Sequence, residues 1–473
     1  MGENMNEEAL TADGQKDDDI DYVEDREELT EERIKDMLDA REYKELKEEL
    51  ETNMYPVDLA EILEEFDQKH MVLVFRLLAK EEASETFSYM NSDMREDLIN
   101  ALTDSELEEI MEEMYLDDTV DVLEEMPANV VDRLLMVTDA EKRQQINQLL
   151  QYPEDSAGSV MNVDYIALRR EMTVADSILK IRQVGLNRET IYTCYVTEQR
   201  HLIGQVDIKE LLTSSESKTV EEIMDTNMLY ARTTDDQEDV ANIITKYGLI
   251  ALPIVDHENC MVGIVTVDDA MQVLQDETTE DISIMAGVNP NEDSYFGTSI
   301  FEHVKSRIPW LLFLMLSATV TQMIMNSYEN ALALMPKLAG FVPMLTGTGG
   351  NCGSQSSTLV IRGLAVGEIE FSDLFKVIWK EIRIAFCISI ILSVVNGIRI
   401  MLMGQGDAMM AFTIGLTMAC TVLIAKVVGC TLPLIAKKIG LDPAIMATPL
   451  ISTLVDISTI SVYFAIVSYV FRL

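Results

Sequence analysis

The sequence contains little histidine, cysteine or tryptophan, and these shortages argue against several classes of protein. In 473 residues there are 4 His, 6 Cys and 2 Trp. The cysteines form no CxxC pair and most of them lie in apolar stretches, so neither a disulfide framework nor a zinc site is indicated. The histidines are scattered (His70, His201, His257 and His303) and show no nucleophile–base pairing, which argues against an enzyme.

Basic residues are also scarce relative to acidic ones. The chain has 36 Lys and Arg against 82 Asp and Glu, a formal net charge of −46. Such a surface repels nucleic acid and attracts cations, so we expect no nucleic-acid partner. The acidic N-terminus lacks the basic and apolar regions of a signal peptide.

The charges are concentrated in the first two thirds of the chain, and this part divides further by texture. Residues 1–28 form a polar, acidic tail that we predict to be disordered. Residues 29–157 place apolar side chains at three- and four-residue spacings, as in 57-VDLAEILEEF-66. Prolines and capping residues interrupt the pattern at short intervals. We therefore predict an all-α superhelical N domain.

Residues 158–267 contain an internal repeat of short β-branched runs and amphipathic helices. Each copy has a Met-ended opening, a helix, an apolar strand, a turn and then a Gly followed by alternating Val and Ile, at Gly204 and Gly263. This duplicated pattern resembles a tandem CBS pair, an α/β module that usually senses ligands. Residues 268–300 then form a charged helix and a linker.

The last part, residues 301–473, contains five apolar stretches long enough to cross a bilayer. They lie near 308–327, 332–363, 382–403, 408–436 and 443–471. Basic residues cluster at alternate ends of these stretches, which places the N-terminal domains in the cytosol and the C-terminus outside. We predict a multi-pass protein of the cell membrane. Arg399 and Lys426 fit this pattern less well, and both could snorkel or line a dimer contact.

Asp456 is the most informative residue, because it lies about midway along the last apolar stretch. A carboxylate at that depth costs several kcal/mol and needs water, a partner or an ion. Ser452, Thr453 and Thr459 are close in sequence and could hold water on a helix face. We predict an ion pathway, with a structural hydrogen bond to a neighbouring helix, such as that of Lys426, as the alternative.

The second apolar stretch contains a glycine-rich run, 347-GTGGNCGSQSS-357. We predict that this run breaks the helix and exposes carbonyl oxygens as ligands in a cavity. A kink for helix packing is the alternative. A phosphate-binding loop is excluded, because no strand precedes the run and no GK[ST] follows it.

Two membrane motifs, 342-VPMLTGTGGNCGSQSSTLVIRGLAVGEI-369 and 441-LDPAIMATPLISTLVDISTISVYF-464, together with the domain order, resemble the MgtE family of magnesium transporters. The resemblance covers essentially the whole chain past the acidic tail. It implies a homodimeric Mg²⁺-selective channel with a pore on the two-fold axis. The family's pore aspartate matches Asp456, and its aspartate at the cytoplasmic end of the last helix matches Asp442.

The resemblance also implies that cytosolic Mg²⁺ closes the pore. Carboxylates of the family that bridge regulatory Mg²⁺ match residues in the N domain, the CBS pair and the charged helix, which is the family's plug helix: Glu85, Asp117, Asp121, Glu238, Asp269, Glu277, Glu280 and Asp281. Facing acidic surfaces repel unless cations lie between them, so falling Mg²⁺ would separate the domains. Gly248 departs from the pattern, since relatives can carry an acidic ligand there.

Two other functions stay open at this point. A membrane-anchored nucleotide sensor would bind ATP at the CBS pair, where Thr266, Asp268 and Asp269 follow a strand as ribose-binding residues would. A broader divalent-cation transporter would carry Co²⁺ or Mn²⁺ as well. The predicted architecture is multidomain: the helical N domain, the CBS pair, the plug helix and a five-helix transmembrane domain.

Overall fold

The structure is a computed structural model that describes residues 29–290, 295, 298–404, 407–446 and 448–472. The predicted disordered tail, residues 1–28, lies outside the described residues. The described chain divides into two compact units, one ending at Gln151 and the other beginning at Tyr152.

The first unit is helical throughout its described residues, as the apolar spacing predicts. Its helices are α1 Glu31–Ala40, α2 Tyr43–Asn53, α3 Pro56–Leu63, α4 Gln68–Phe75, α5 Lys80–Tyr89, α6 Ser92–Ala101, α7 Asp104–Glu113, α8 Leu116–Glu125, α9 Ala128–Val137 and α10 Ala140–Leu149. Alternate helices pack on one another, α3 on α5, α5 on α7 and α7 on α9. This stacking gives the predicted superhelix.

Ion pairs between side chains on different helices join the layers of this superhelix. Arg76 contacts Glu106 at 2.8 Å, and Arg133 contacts Asp104 at 2.8 Å. Local caps begin the helices: the hydroxyl of Thr103 accepts from the backbone N–H of Glu106. Arg133 thus ties α9 to α7, and Arg76, the residue after α4, also contacts α7, so the stack does not depend on long helices.

The second unit begins with the duplicated α/β module. Its first copy contains β1 Ala167–Leu168, α11 Val174–Val184, β2 Thr193–Glu198, β3 His201–Asp207 and α12 Ile208–Thr213, and its second contains α13 Val220–Ile223, β4 Ala231–Arg232, α14 Gln237–Tyr247, β5 Ala251–Val255 and β6 Met261–Thr266. Each copy forms a three-stranded sheet with one parallel and one antiparallel pairing, and the register shifts at corresponding positions. The repeat predicted from sequence is confirmed.

The two copies are interlocked through the glycines that the repeat contains. The opening residue Met161 packs on Gly263 of the other copy, and Met224 packs on Gly204. A Cβ at Gly263 would lie 2.8 Å from the carbonyl oxygen of Asn162, so only glycine allows this approach. The Met and the Gly of the repeat are therefore partners across the pair.

The plug helix, α15, spans Val267–Met285 and begins directly after β6. Thr266 and Asp269 cap its first turn, and the helix packs along α14. Beyond its end, the backbone N–H of Asn289 donates to the carbonyl of Ser306, which lies in the next helix. The plug helix is therefore held at both ends, by the CBS pair and by the start of the membrane domain.

The membrane domain contains α16 Ile300–Ser327, α17 Glu329–Leu334, a 3₁₀ turn Pro336–Phe341, α18 Val342–Ala365, a 3₁₀ turn Phe371–Asp373, α19 Leu374–Leu402, α20 Ala408–Lys438, a 3₁₀ turn Pro443–Met446 and α21 Thr448–Phe471. Among the described residues, α16, α19, α20 and α21 are long and apolar enough to cross a membrane. The less apolar α18 packs between α20 and α21. The number of crossings stays a prediction.

The prediction that the glycine-rich run breaks its helix is wrong. Residues 347–357 are helical and lie within the continuous α18. The physical reason is close packing: a Cβ at Gly429 of α20 would lie 2.3 Å from the carbonyl oxygen of Gly353. Small residues let helix backbones approach in this way. The packing alternative therefore describes this run better than the open-loop interpretation.

About one helical turn from the contact between Gly353 and Gly429, polar side chains of three helices meet in the interior. Lys426 of α20 and Glu381 of α19 form an ion pair at 3.6 Å, and both are buried. The hydroxyl of Ser356 on α18 donates to the same Glu381 carboxylate at 2.6 Å. We call these three residues the core triad. A charge in an apolar interior requires such a partner.

The core triad predicts a specific pattern of stability. Lys426→Met should lower the free energy of unfolding by about 3–5 kcal/mol, because it leaves Glu381 as an uncompensated buried charge. Adding Glu381→Gln should restore most of this loss, since the amide oxygen still accepts from Ser356. Denaturant unfolding of the detergent-solubilised protein, followed by circular dichroism, measures both. A double variant as unstable as Lys426→Met alone would contradict this interpretation.

Candidate functional site

Asp456 lies near the middle of α21, where the sequence placed it. Its side chain is half-buried, and it has no hydrogen bond or ion pair within the described part of the chain. The alternative partner, Lys426, is paired with Glu381 instead. Asp456 is therefore a carboxylate in an apolar helix with its oxygens available to water or an ion.

Hydroxyls and glycines lie on and against α21, the helix that carries Asp456. Within the described residues, the buried hydroxyls of Thr459 on α21 and Thr421 on α20 have no hydrogen-bond partner. Gly349 of α18 packs against both threonines, and Gly350 packs against Ser452. The glycine-rich run thus lets α18 pack closely against the helix that carries Asp456, beside two hydroxyls that have no protein partner within the described residues.

A second site lies where the plug helix meets α14 and the segment before the last 3₁₀ turn. The structure brings together five of the carboxylates singled out in the sequence: Glu238, Glu277, Glu280, Asp281 and Asp442. Each acidic side chain of this set on α14 or α15 is influenced by the charge of at least one other member. We call these five residues the plug cluster.

The plug cluster is electrostatically strained. Burial and the charges of Asp442 and Glu277 together raise the pKa of Asp281 to about 6. Burial and neighbouring carboxylates also raise the pKa values of Glu238 and Glu280. Like charges held together in this way disfavour ionisation. A bound cation would relieve the repulsion.

Three residues of this site were missed by sequence reasoning. Burial raises the pKa of Glu277, and a hydrogen bond from the Gln237 amide lowers it. The charges of Asp236 and Asp155 raise the same pKa. Asp155 comes close because Ser156 pairs with Asp236 in an isolated β-bridge. This contact joins positions far apart in the chain, so no local pattern could reveal it.

Asp269 lies apart from the plug cluster, at the start of the plug helix. Its carboxylate accepts from the hydroxyl and the backbone N–H of Thr266, as a helix cap. Burial raises the pKa of Asp269, and the Thr266 hydrogen bond opposes the rise. Of the three residues suggested for ribose binding, Thr266 and Asp269 are therefore engaged with each other, while Asp268 is exposed.

The candidate ligands of the N domain lie on two helices of the first unit. Glu85 is exposed on α5, and Asp117 and Asp121 are four residues apart on α8. Sequence reasoning missed the buried Arg95, which contacts Glu125 at 2.6 Å. Burial lowers the pKa of Arg95, and Glu125, Asp121 and Asp118 oppose this. A fixed cation therefore already lies near Asp121.

Gly248 follows α14 with a left-handed backbone, φ 63°, and ends the helix. Glycine adopts this conformation without strain, whereas an acidic residue there costs about 1 kcal/mol. The left-handed helix end thus accounts for glycine at position 248.

The geometry limits how these sites can bind metal. Among the described residues, no three histidine, cysteine or carboxylate side chains converge closely enough to hold one ion directly. Contacts through water remain open to Asp456 and to the plug cluster. Mg²⁺ binds in this way, since it gives up its waters reluctantly.

Family models match three parts of the chain. Residues 54–155 match the MgtE intracellular N domain, residues 220–276 match the CBS domain, and residues 342–466 match a model described as "Divalent cation transporter". The last range contains α18, α19, α20 and most of α21, with Asp456 and the core triad.

Curated relatives match along nearly their whole length. A magnesium transporter MgtE of Thermus thermophilus is 33% identical over 437 residues, which cover 90% of this chain and 95% of the relative. The magnesium transporter MgtE of Bacillus subtilis is 31% identical over 414 residues, with 87% and 91% covered. A solved cytosolic domain of the Mg²⁺ channel MgtE in complex with ATP is 34% identical, with a TM-score of 0.49, covering 51% of this chain and 99% of that one. On the extent of the sequence matches, the chain belongs to the MgtE family of multi-pass membrane transporters with cytosolic soluble domains.

Proposed function

We propose that this protein conducts Mg²⁺ across the cell membrane along a path that passes Asp456. The observation that carries the proposal is the unpaired, half-buried carboxylate of Asp456 within an apolar helix. The contrast with Glu381 is informative, because that carboxylate is fully paired. An acidic residue kept in the membrane without a partner needs water or a cation, and transport of a cation supplies both.

The surroundings of Asp456 suit a hydrated divalent ion. Mg²⁺ keeps several waters and touches few carboxylates directly. The neighbouring hydroxyls of Thr459, Thr421 and Ser452 can bind those waters. In a homodimer, two Asp456 side chains facing a two-fold axis would hold one hydrated ion between them. The relatives named as magnesium transporters support Mg²⁺ over Co²⁺ or Mn²⁺ as the principal ion.

We propose five crossings, with the C-terminus outside the cell. Basic residues lie at the ends of the membrane helices that a five-crossing path places in the cytosol: Lys305, Arg307, Arg362, Lys376, Lys380, Arg383, Lys437 and Lys438. The opposite ends carry fewer, with Arg399 in the last turn of α19. This asymmetry is what the positive-inside rule requires.

Regulation follows from the plug cluster. With no ion bound, repulsion among Glu277, Glu280, Asp281, Glu238 and Asp442 opposes the compact arrangement in which they meet. When cytosolic Mg²⁺ is high, bound ions stabilise that arrangement and hold the pore closed. When Mg²⁺ falls, repulsion separates the plug helix from its neighbours. The channel is therefore closed by its own substrate and acts as a transporter rather than an enzyme.

The remaining candidate ligands extend this regulation to the other domains. Glu85, Asp117 and Asp121 are proposed to bind Mg²⁺ at the N domain, and Asp269 at the CBS pair. ATP is proposed as a further ligand of the CBS pair, where exposed Asp268 follows β6. Binding of ribose at Thr266 would have to replace its hydrogen bond to Asp269.

The pore assignment predicts the effect of a neutral, isosteric substitution. Asp456→Asn should reduce Mg²⁺ uptake at subsaturating concentrations by about ten- to a hundredfold, because a charge-assisted contact to a bound cation is lost. Uptake by cells that lack other magnesium transporters measures this, with the amount of protein in the membrane determined in parallel.

Asp407→Asn is the matched control. Asp407 caps α20 by accepting from the backbone N–H of Met410, and asparagine caps equally well. Uptake should therefore stay at the wild-type level. Normal uptake by Asp456→Asn would remove the pore assignment.

The strained plug cluster predicts a pH-dependent response to Mg²⁺. A raised carboxyl pKa means that the compact metal-free form is more stable at low pH and loses stability as pH rises through about 6, the pKa of Asp281. At pH 7.5, Mg²⁺ should slow amide hydrogen exchange across Val267–Met285 strongly. At pH 5.5, exchange corrected for its intrinsic rate should already be slower without Mg²⁺.

Asp281→Asn tests the same interpretation at one pH. Without Mg²⁺ at pH 7.5, this variant should exchange more slowly than wild type, because one repelling charge is gone. Equal exchange with and without Mg²⁺ in the wild type would count against regulation at the plug cluster.

A further inference from the structure

One amide side chain of the plug region lies between two carboxylates. Gln237 is the first residue of α14, and its Nε2 donates to Oε1 of Glu277 at 3.0 Å. The same nitrogen lies 3.4 Å from Oδ1 of Asp155. It thus connects the segment before the CBS pair to the plug helix.

Asp155 and Glu277 are held in place by contacts that do not involve the Gln237 side chain. The backbone N–H of Gln237 donates to the carbonyl of Asp155 at 2.9 Å, and the neighbouring residues Ser156 and Asp236 form a β-bridge. Asp155 itself has a left-handed backbone, φ 59°. An Asp tolerates this conformation at limited cost, and here it turns the segment toward α14. Glu277 is fixed by its place on the plug helix, which packs along α14.

The amide supplies part of what a cation would supply. The two N–H bonds of the amide nitrogen carry partial positive charge. Each can donate a hydrogen bond to one carboxylate oxygen, one on Asp155 and one on Glu277. The amide remains neutral, however, and cannot cancel the charges of Asp155 and Glu277. A bound ion cancels charge as well as satisfying lone pairs, so the amide is a weaker bridge than an ion.

Building on the proposed function, we propose that Gln237 sets the cytosolic Mg²⁺ concentration at which the channel closes. Its amide occupies the bridging position between Asp155 and Glu277 and stabilises the compact arrangement in part, and Mg²⁺ supplies the remainder. Asp155, which lies outside the carboxylates matched to the family, becomes a member of the regulatory site. Gln237 acts through these carboxylates and is a positioning residue.

This role predicts opposite effects for two substitutions. Gln237→Lys places a tethered ammonium beside the same carboxylates, so the compact form should need less Mg²⁺. Gln237→Met keeps the length of the side chain and removes the donor, so the compact form should need more. A merely structural role would not produce shifts in opposite directions, because both substitutions would loosen the packing.

Inside-out patches from cells expressing the full chain measure both effects. The quantity is the internal Mg²⁺ concentration that halves the current. For Gln237→Lys we expect a shift of about tenfold or more to lower concentration, and for Gln237→Met a several-fold shift to higher concentration, of about the size that one hydrogen bond to a charged group supports.

Gln275→Lys is the matched control, since it adds the same charge to the plug helix at an exposed position about 200° around the helix from Glu277. It should titrate close to wild type. Wild-type halving concentrations for both Gln237 variants, or an equal shift in Gln275→Lys, would overturn the role of Gln237 while leaving Mg²⁺ conduction intact. Absence of any Mg²⁺ current from the wild type would instead overturn the proposed function.

Discussion

The cost of placing a charge away from water organises this molecule. In the membrane domain that cost is met in two different ways. Glu381 and Lys426 cancel each other and receive a hydroxyl from Ser356, which fastens three helices together. Asp456 is left without a protein partner within the described residues. The first arrangement joins the helices, and the second is where we propose that a hydrated cation binds.

The same cost arises in the cytosolic part, but there opposite charges do not cancel it. There the carboxylates of the plug cluster repel each other because the fold holds them close and partly buried. In the regulation that we propose, this repulsion opposes the compact arrangement and a bound cation stabilises it. The Gln237 amide reduces the imbalance without removing it. In the proposed function, the transported ion and the regulatory ion are therefore recognised by the same chemistry, carboxylates that lack a cation.

Much of this architecture could be predicted from local patterns in the sequence. Helical spacing predicts the N domain, and the Met and Gly of the repeat predict the CBS pair. Asp456 is a candidate because it is a carboxylate within an apolar stretch. Contacts between distant positions could not be predicted. Lys426 and Glu381 lie 45 residues apart on different helices, and a β-bridge between Ser156 and Asp236 helps to bring Asp155 close to Glu277. The glycine-rich run was misinterpreted because glycine permits both a broken helix and a close helix crossing, and only the packing of Gly353 on Gly429 distinguishes them.

We propose that Asp456 is tolerated in the membrane because a hydrated divalent ion accompanies it. Electron cryo-microscopy of the full chain in lipid nanodiscs, with millimolar Mg²⁺ and with EDTA, tests this most directly. We expect a dimer in which Asp456 of both copies faces the two-fold axis, with density for an ion and its waters between them only when Mg²⁺ is present. A side chain that faces lipid, or that is bonded to protein in a dry interior under both conditions, would contradict it.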